Sequence, residues 1–390
     1  MVLLVALSVA FLFVLLSGTG STTATGRIGG DFPAFYGAGT IVADGDIDRL
    51  YEPIVQEAAQ AGLLGDEDGF IMYPYAPHVA AAYSPLSAVP YRLAYVAHTA
   101  VMIGALVGAL SLLRPVVPIL RNRVTLATAA SMTTYPVFVG MTGGQNTALS
   151  LLLIAVAWRA WHEDRDDIAG LALALLLFRP QYALPMLGLA LLDRRFRTLA
   201  TAAIGAGLVW IANAALVGPG WITTWYDGVR PLLEADAEVN AMNEIAPIGV
   251  LVALFGESTV AVGAGAAVST AIVVGLMALW WRRPIDLAGR MAITTAALTL
   301  LGPHAIYYDS SLLIFSVVVL ADRRQLSPTG IALLWASGLL HLARHIADVS
   351  PLIIVVFTVL GLTVTRLTGR SGHDDELPDR VLPIQDSYSV

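Results

Sequence analysis

The chain has 390 residues, of which 57% are hydrophobic and only 13% charged, with a mean hydropathy of +0.72. Soluble domains carry about 25% charged residues, so composition alone makes this a membrane protein. The chain has no Cys and a net charge of −7, which excludes disulfides, thiolate nucleophiles and Cys-ligated metals and argues against nucleic acid as a partner.

Residues 2–17 form the first apolar run. It lacks a basic leading region and precedes a chain rich in further apolar runs, so it reads as a first span rather than a signal peptide. The segment 18–90 is a large first outer loop. Its part from Gly26 to Leu86 is the longest polar interruption, carrying Asp31, Asp44, Asp46, Asp48, Glu52, Glu57, Asp66, Glu67 and Asp68 against only Arg27 and Arg49. Phe32, Phe35, Tyr36, Tyr51, Phe70, Tyr73 and Tyr75 are interleaved with those acids, and Gly29, Gly30, Gly37 and Gly39 surround the first of them.

Tyr91–Leu113 is a second span, and Arg114, Arg121 and Arg123 mark its far side as cytoplasmic by the excess of basic residues. Val124–Gly140 returns outward to the short turn Gly143–Asn146, and Thr147–Trp161 comes back to Arg165. The next piece, Ile168–Leu192, has Arg165 before it and Arg194, Arg195 and Arg197 after it, so both its ends read as cytoplasmic. Pro180, in the sequence Phe178-Arg179-Pro180-Gln181, breaks the helix at its middle. The economical reading is a hairpin of two helices of about 11 residues, ~16 Å each, with Arg179 at its tip inside the membrane thickness.

Leu199–Val217 leads out to a second outer loop at 218–247, and Val260–Trp281 comes in to Arg282 and Arg283. Leu287–Leu301, Ser310–Leu320, Gly330–Leu342 and Leu352–Val364 continue the alternation, and a polar cytoplasmic tail occupies 371–390. The expected architecture is an all-α polytopic bundle over residues 1–370, of about twelve spans with both termini inside. No internal repeat is evident. The unusual polar residues therefore collect on the outer face, where nucleotide sugars are absent and a group donor must itself be membrane-borne.

Each polar feature has two readings. Asp44–Asp46 has the acid-x-acid form of metal motifs, and the run onward resembles the start of an EF-hand loop. Arg49 stands where that loop needs Gly and Val55 where it needs a bidentate Glu, so the calcium reading fails and a solvated turn before a helix near Ile47 is simpler. Asp31 is a helix N-cap, a catalytic base, or both. Arg179 is an anion ligand or a structural cation satisfying helix-end carbonyls. His304, beside Tyr307, Tyr308 and Asp309, and Arg344, with His341 and His345, are anion-binding groups or interfacial head-group contacts. Trp221, Trp225 and Tyr226 stack on sugar rings or belt the interface.

Taken together and in order, GGDFPAFYGAG, LYEP, YPYAPHVAAAYSPLSAVPY, GGQN, FRPQ and PHAIYYD resemble the polyprenol-phosphate-mannose-dependent mannosyltransferases of glycosyltransferase family 87, membrane enzymes of the GT-C fold. The resemblance covers nearly the whole chain. It departs at Tyr75, where the family has a second Pro. It implies a GT-C bundle and a hexosyltransferase that moves a sugar, most readily mannose, from a polyprenyl-phosphate donor to a lipid or glycan acceptor on the outer face of the cytoplasmic membrane. Asp31 matches the family's catalytic position and His304 its donor-phosphate position. Arg179 and Arg344 are the further donor-phosphate candidates. Tyr36, Gln145, Gln181, Trp221, Trp225, Tyr308 and Asp309 are the expected acceptor or sugar contacts. A polyprenyl phosphate is a good leaving group, so one carboxylate base and a few cations are enough, and the scheme calls for no metal or cofactor. The rival class, a transporter or lipid flippase, explains the spans and the intramembrane Arg but not the acid-rich aromatic loop.

Overall fold

The computed structural model describes residues 29–63, 70–302 and 305–369. The first apolar run, Arg27, the acids at 66–68, His304 and the tail lie outside the described residues. Within the described part the chain is helical, with one isolated antiparallel bridge between Glu244 and Ile306. Helix starts follow from sequence. Pro33, Pro53, Pro77, Pro136, Pro180, Pro247 and Pro328 occupy first-turn positions, where the missing N–H is not needed. Ser258, Asp286 and Ser327 cap their helices through side-chain oxygens.

The first outer loop folds into α1 (Phe32–Ala43), α2 (Pro53–Gln60) and α3 (Pro77–Ser87). Gly39 lets α1 cross α3 closely, since a Cβ there would lie 2.7 Å from the Tyr83 carbonyl oxygen. Two buried glutamines of α2 replace a strand partner for the extended segment that follows. Gln60 donates to the Ile71 carbonyl (2.8 Å) and accepts from its N–H (2.9 Å), and Gln56 accepts from the Tyr73 N–H (2.9 Å). Phe32, Phe35, Ile41, Leu50 and Tyr73 of the loop form a core together with Tyr95 of the next helix, Tyr91–Leu112.

The bundle proper runs through α4 (Tyr91–Leu112), α5 (Leu120–Met132), α6 (Tyr135–Thr142), α7 (Thr147–His162), α8 (Asp166–Leu175), α9 (Pro180–Leu192) and α10 (Phe196–Val217). After the second outer loop, with α11 (Trp221–Val239), come α12 (Pro247–Phe255), α13 (Thr259–Arg282), α14 (Leu287–Leu301), α15 (Leu313–Asp322), α16 (Pro328–Ser337), α17 (Arg344–Ala347) and α18 (Leu352–Thr368). Among the described residues, four helical stretches are long and apolar enough to cross a membrane unaided, and α6 with α7, bent by 116°, makes a fifth. Shorter apolar helices of 10–17 residues, including α9, α14 and α18, stand beside these long ones. Helices α9 and α14 are as short as the apolar runs in the sequence imply and are packed against neighbouring helices. Helix α14 is buried from Ala288 to Leu300 and forms the centre of the main core.

The hairpin expected around Arg179 is present. Helix α8 ends in a 3-10 turn at Leu176–Phe178, and α9 starts at Pro180. Arg195, preceding α10, pairs with Asp166 in the first turn of α8 at 2.7 Å, so the two ends of the hairpin lie together. Gly170 abuts Thr198–Ala202 and Ala174 abuts Gly205, so α8 and α10 run side by side in one direction. At the same end, buried Asp193 accepts from Arg283 (2.6 Å), Arg195 (3.1 Å) and Arg290 (3.3 Å), fastening the hairpin to the α13–α14 junction.

Candidate active site

At the opposite end from this arginine cluster, the loop core meets the bundle around a cavity of about 470 Å³. Its walls come from the start of α1 (Asp31, Phe35), the extended 71–75 segment, the Gly143–Asn146 turn, the hairpin tip (Phe178–Gln181), α11 (Trp225, Val229) and the 3-10 helix Tyr307–Leu312.

Asp31 stands immediately before α1, but its carboxylate makes no cap bond to that helix. It accepts instead from the Gln145 side-chain amide. Its own N–H donates to the Gly143 carbonyl at 2.9 Å. The turn reaches Asp31 because Gly144 has φ +66°, and a Cβ there would sit 2.5 Å from the Phe32 Cβ. The N-cap reading of Asp31 is thereby replaced: the backbone starts the helix while the side chain faces the cavity.

Arg179 falls between the 3-10 turn and α9, with φ −125° and ψ 79°. It is 4% exposed and pairs with equally buried Asp309 at 2.6 Å. Its Nε and Nη2 donate to Asn146 Oδ1 at 3.1 and 2.8 Å, and Nη2 also reaches the Tyr75 hydroxyl at 3.4 Å. Asp309 in turn accepts from the Ile306 N–H through its other oxygen (3.3 Å). A buried guanidinium is costly to desolvate and is kept in place here by partners on three sides. It offers directed donors at the cavity wall, while its net charge is balanced by Asp309.

The remaining expected residues divide. Gln181, Trp225 and Tyr308 line the cavity with Gln145 and Asp309. Trp225 is tied by its indole N–H to the Pro74 carbonyl at 2.9 Å. Tyr36 does not line it: its hydroxyl donates to the Val89 carbonyl (3.1 Å) and its ring packs against Phe32 and Tyr91. Trp221, at the start of α11 and one helical turn before Trp225, is also not among the residues that line the cavity. Both are expected from sequence as sugar contacts, and both lie off this cavity. Arg344 stands behind the wall, within electrostatic reach of Tyr135 and Tyr307. His341 stacks on Tyr307 at 3.9 Å and bonds Ser350 at 2.9 Å. Arg344 makes no ion pair among the described residues, so its charge, unlike that of Arg179, is not internally balanced.

The sequence reading missed Asn146, Tyr75 and Glu244 as site-building residues. Asn146 was legible as the last residue of the polar turn between apolar runs. Buried Glu244 accepts from the Ala305 N–H (3.2 Å) beside the Ile245–Ala305 backbone bond (2.8 Å), and so docks the second outer loop onto the segment leading to Asp309. Burial pushes the Tyr51 phenol up, keeping it a neutral donor to the Tyr75 carbonyl at 2.8 Å. Burial likewise pushes the His78 imidazole down, against a smaller opposing effect from its hydrogen bond to Asn213.

Among the described residues, no group of three or more His, Asp or Glu side chains is placed to hold a metal ion, and Asp44 and Asp46 are exposed around the turn at Ile47–Arg49.

The fold and cavity define an all-α polytopic membrane protein with a carboxylate and a buried ion pair around a site at one end. Residues 73–246 match the sequence model of glycosyltransferase family 87, so over this range the chain is similar to that family. The matched range contributes Tyr75, Gln145, Arg179 and Trp225 to the cavity, whereas Asp31 and Asp309 come from outside it. A search of curated proteins found no match.

Proposed function

We propose that the cavity transfers a sugar, mannose first among the candidates, from a polyprenyl-phosphate donor to a hydroxyl of a lipid or glycan acceptor at the outer face of the cytoplasmic membrane. The observation that carries this reading is the placement of Asp31. Its carboxylate lines a cavity that also presents the directed donors of Arg179 and sugar-sized aromatic surfaces at Trp225 and Tyr308. In the proposed step Asp31 takes the acceptor proton as the new oxygen–anomeric carbon bond forms. The bond from that carbon to the phosphate oxygen breaks, and polyprenyl phosphate leaves with the electron pair. Cationic groups favour the charge that grows on the phosphate. Arg344 and Arg179 are the described candidates for this role, and His304, shortly before Tyr307–Asp309 in sequence, is a further one.

A second cavity supports a donor with a long apolar tail. It has about 390 Å³, is almost wholly apolar, and runs between α5, α15, α16 and α18. It shares the 3-10 helix with the polar cavity: Tyr307, Tyr308 and Asp309 face one, Ser310 and Ser311 the other. The test is transfer of labelled mannose from polyprenyl-phosphate mannose into the lipid or glycan fraction of membranes containing the protein. Incorporation that requires the chain supports the reading. Equal incorporation in membranes lacking it rejects the reading.

A further inference from the structure

The turn Gly143–Asn146 places two adjacent amide side chains against two opposite charges. Gln145 is 6% and Asn146 2% exposed. A carboxylate only accepts hydrogen bonds and a guanidinium only donates them, so Gln145 must present its nitrogen to Asp31 and Asn146 its oxygen to Arg179. The turn itself is fixed independently of both. The Gln145 N–H donates to the Gly140 carbonyl (2.8 Å), the Gly143 carbonyl accepts from the Asp31 N–H, and the buried Tyr95 hydroxyl donates to the Thr142 carbonyl (2.7 Å). Gly144 lies close against Phe32 and Gly29.

We propose that this turn is a positioning element that sets the spacing of base and cation, with Gln145 orienting the Asp31 carboxylate and favouring its ionised form, and Asn146 orienting the Arg179 guanidinium. The proposal rests on the reading of Asp31 as the base and assigns Gln145 a role other than direct sugar contact. A hydrogen bond donated to a carboxylate stabilises its charged form, so its removal raises the pH at which the base becomes available. Among the described residues, other titratable groups facing Asp31 include Tyr307 and Tyr308, with Asp309 on the same 3-10 helix and Arg344 behind Tyr307. Arg179 lies across the cavity and Tyr91 beside Gly29. None of these is altered by a change at position 145.

The experiment is steady-state kinetics against pH with polyprenyl-phosphate mannose as donor, comparing wild type, Gln145→Met and Asn146→Leu. For Gln145→Met the acid limb of kcat should move up by about one unit, with kcat below that limb falling roughly tenfold and donor KM held. For Asn146→Leu the donor KM should rise roughly tenfold while the acid limb stays in place. Gln145→Glu keeps the side-chain shape, and its second carboxyl shares a proton with Asp31, so its limb should move further up. An unmoved acid limb in both position-145 variants overturns the proposal. If acceptor KM rises instead, Gln145 is a substrate contact. A wild-type chain that transfers nothing from this donor fails the parent reading, whereas active wild type with unshifted variants fails this one alone.

Discussion

Asp31 and Arg179 each carry a charge at the cavity, and their surroundings divide the labour between them. Asp31 is half-buried, and its side chain makes no cap bond to α1 and accepts from Gln145. Asp31→Asn should therefore leave the thermal unfolding of the purified protein within a few degrees of wild type while lowering kcat roughly 10²–10⁴-fold, the usual worth of a general base. Near-normal turnover would remove Asp31 from the mechanism. Arg179 behaves differently, because its removal strands a buried carboxylate. Arg179→Ala should destabilise by roughly 3–5 kcal/mol, with Arg179→Lys less affected. The double variant Arg179→Met with Asp309→Leu should recover most of the lost unfolding temperature and none of the transfer activity. If Arg179→Ala alone unfolds at the wild-type temperature, the pair does not hold the cavity wall.

At the scale of elements, the site depends on short segments brought together by glycine and by side chains acting for backbone. Gln56 and Gln60 supply the hydrogen bonds that a neighbouring strand would give the 71–73 segment. The Gly143–Asn146 turn reaches α1 only because Gly144 has a positive φ and no Cβ. Gly144→Ala should accordingly lower stability by about 1–3 kcal/mol, as expected where a left-handed conformation meets a backbone clash, and should cost more than 90% of activity. Gly188→Ala is the matched control in α9, where a Cβ meets no atom within 4 Å. It should be neutral or slightly stabilising on the same calorimetric scan. Equal effects at the two positions would remove the argument for a required glycine. The sequence made this turn visible as a polar island between apolar runs. It did not show what the turn touches, because the partners at positions 31 and 179 are distant in the chain.

For the whole molecule, the arginine-fastened end and the cavity end lie at opposite ends of the bundle, as the pairing of Arg195 with Asp166 requires. If basic residues face the cytoplasm, the cavity faces outward. A chain without Cys makes the test direct. Asp227→Cys, exposed on α11, should react with an impermeant thiol reagent in intact cells, and Arg197→Cys, exposed at the start of α10, should react only after permeabilisation. Labelling of Arg197→Cys from outside would invert the assignment.

The sequence by itself determined the class of environment, the helical secondary structure, the polarity of the two ends and the break at Arg179, because each follows from local composition: apolar runs, Pro positions and clustered Arg. It also singled out the segments that line the cavity, since polar islands in an apolar chain are conspicuous. Tertiary structure alone decided which side chains within those segments face one another. Tyr36 and Tyr75 both belong to the aromatic loop, yet one packs away from the cavity and the other reaches Arg179. Burial along nearly the whole length of a short apolar helix, as at α14, likewise belongs to packing rather than to the local sequence. The balance of charge on Arg179 belongs to the same class, for Asp309 lies 130 positions away and meets it only after the bundle has closed.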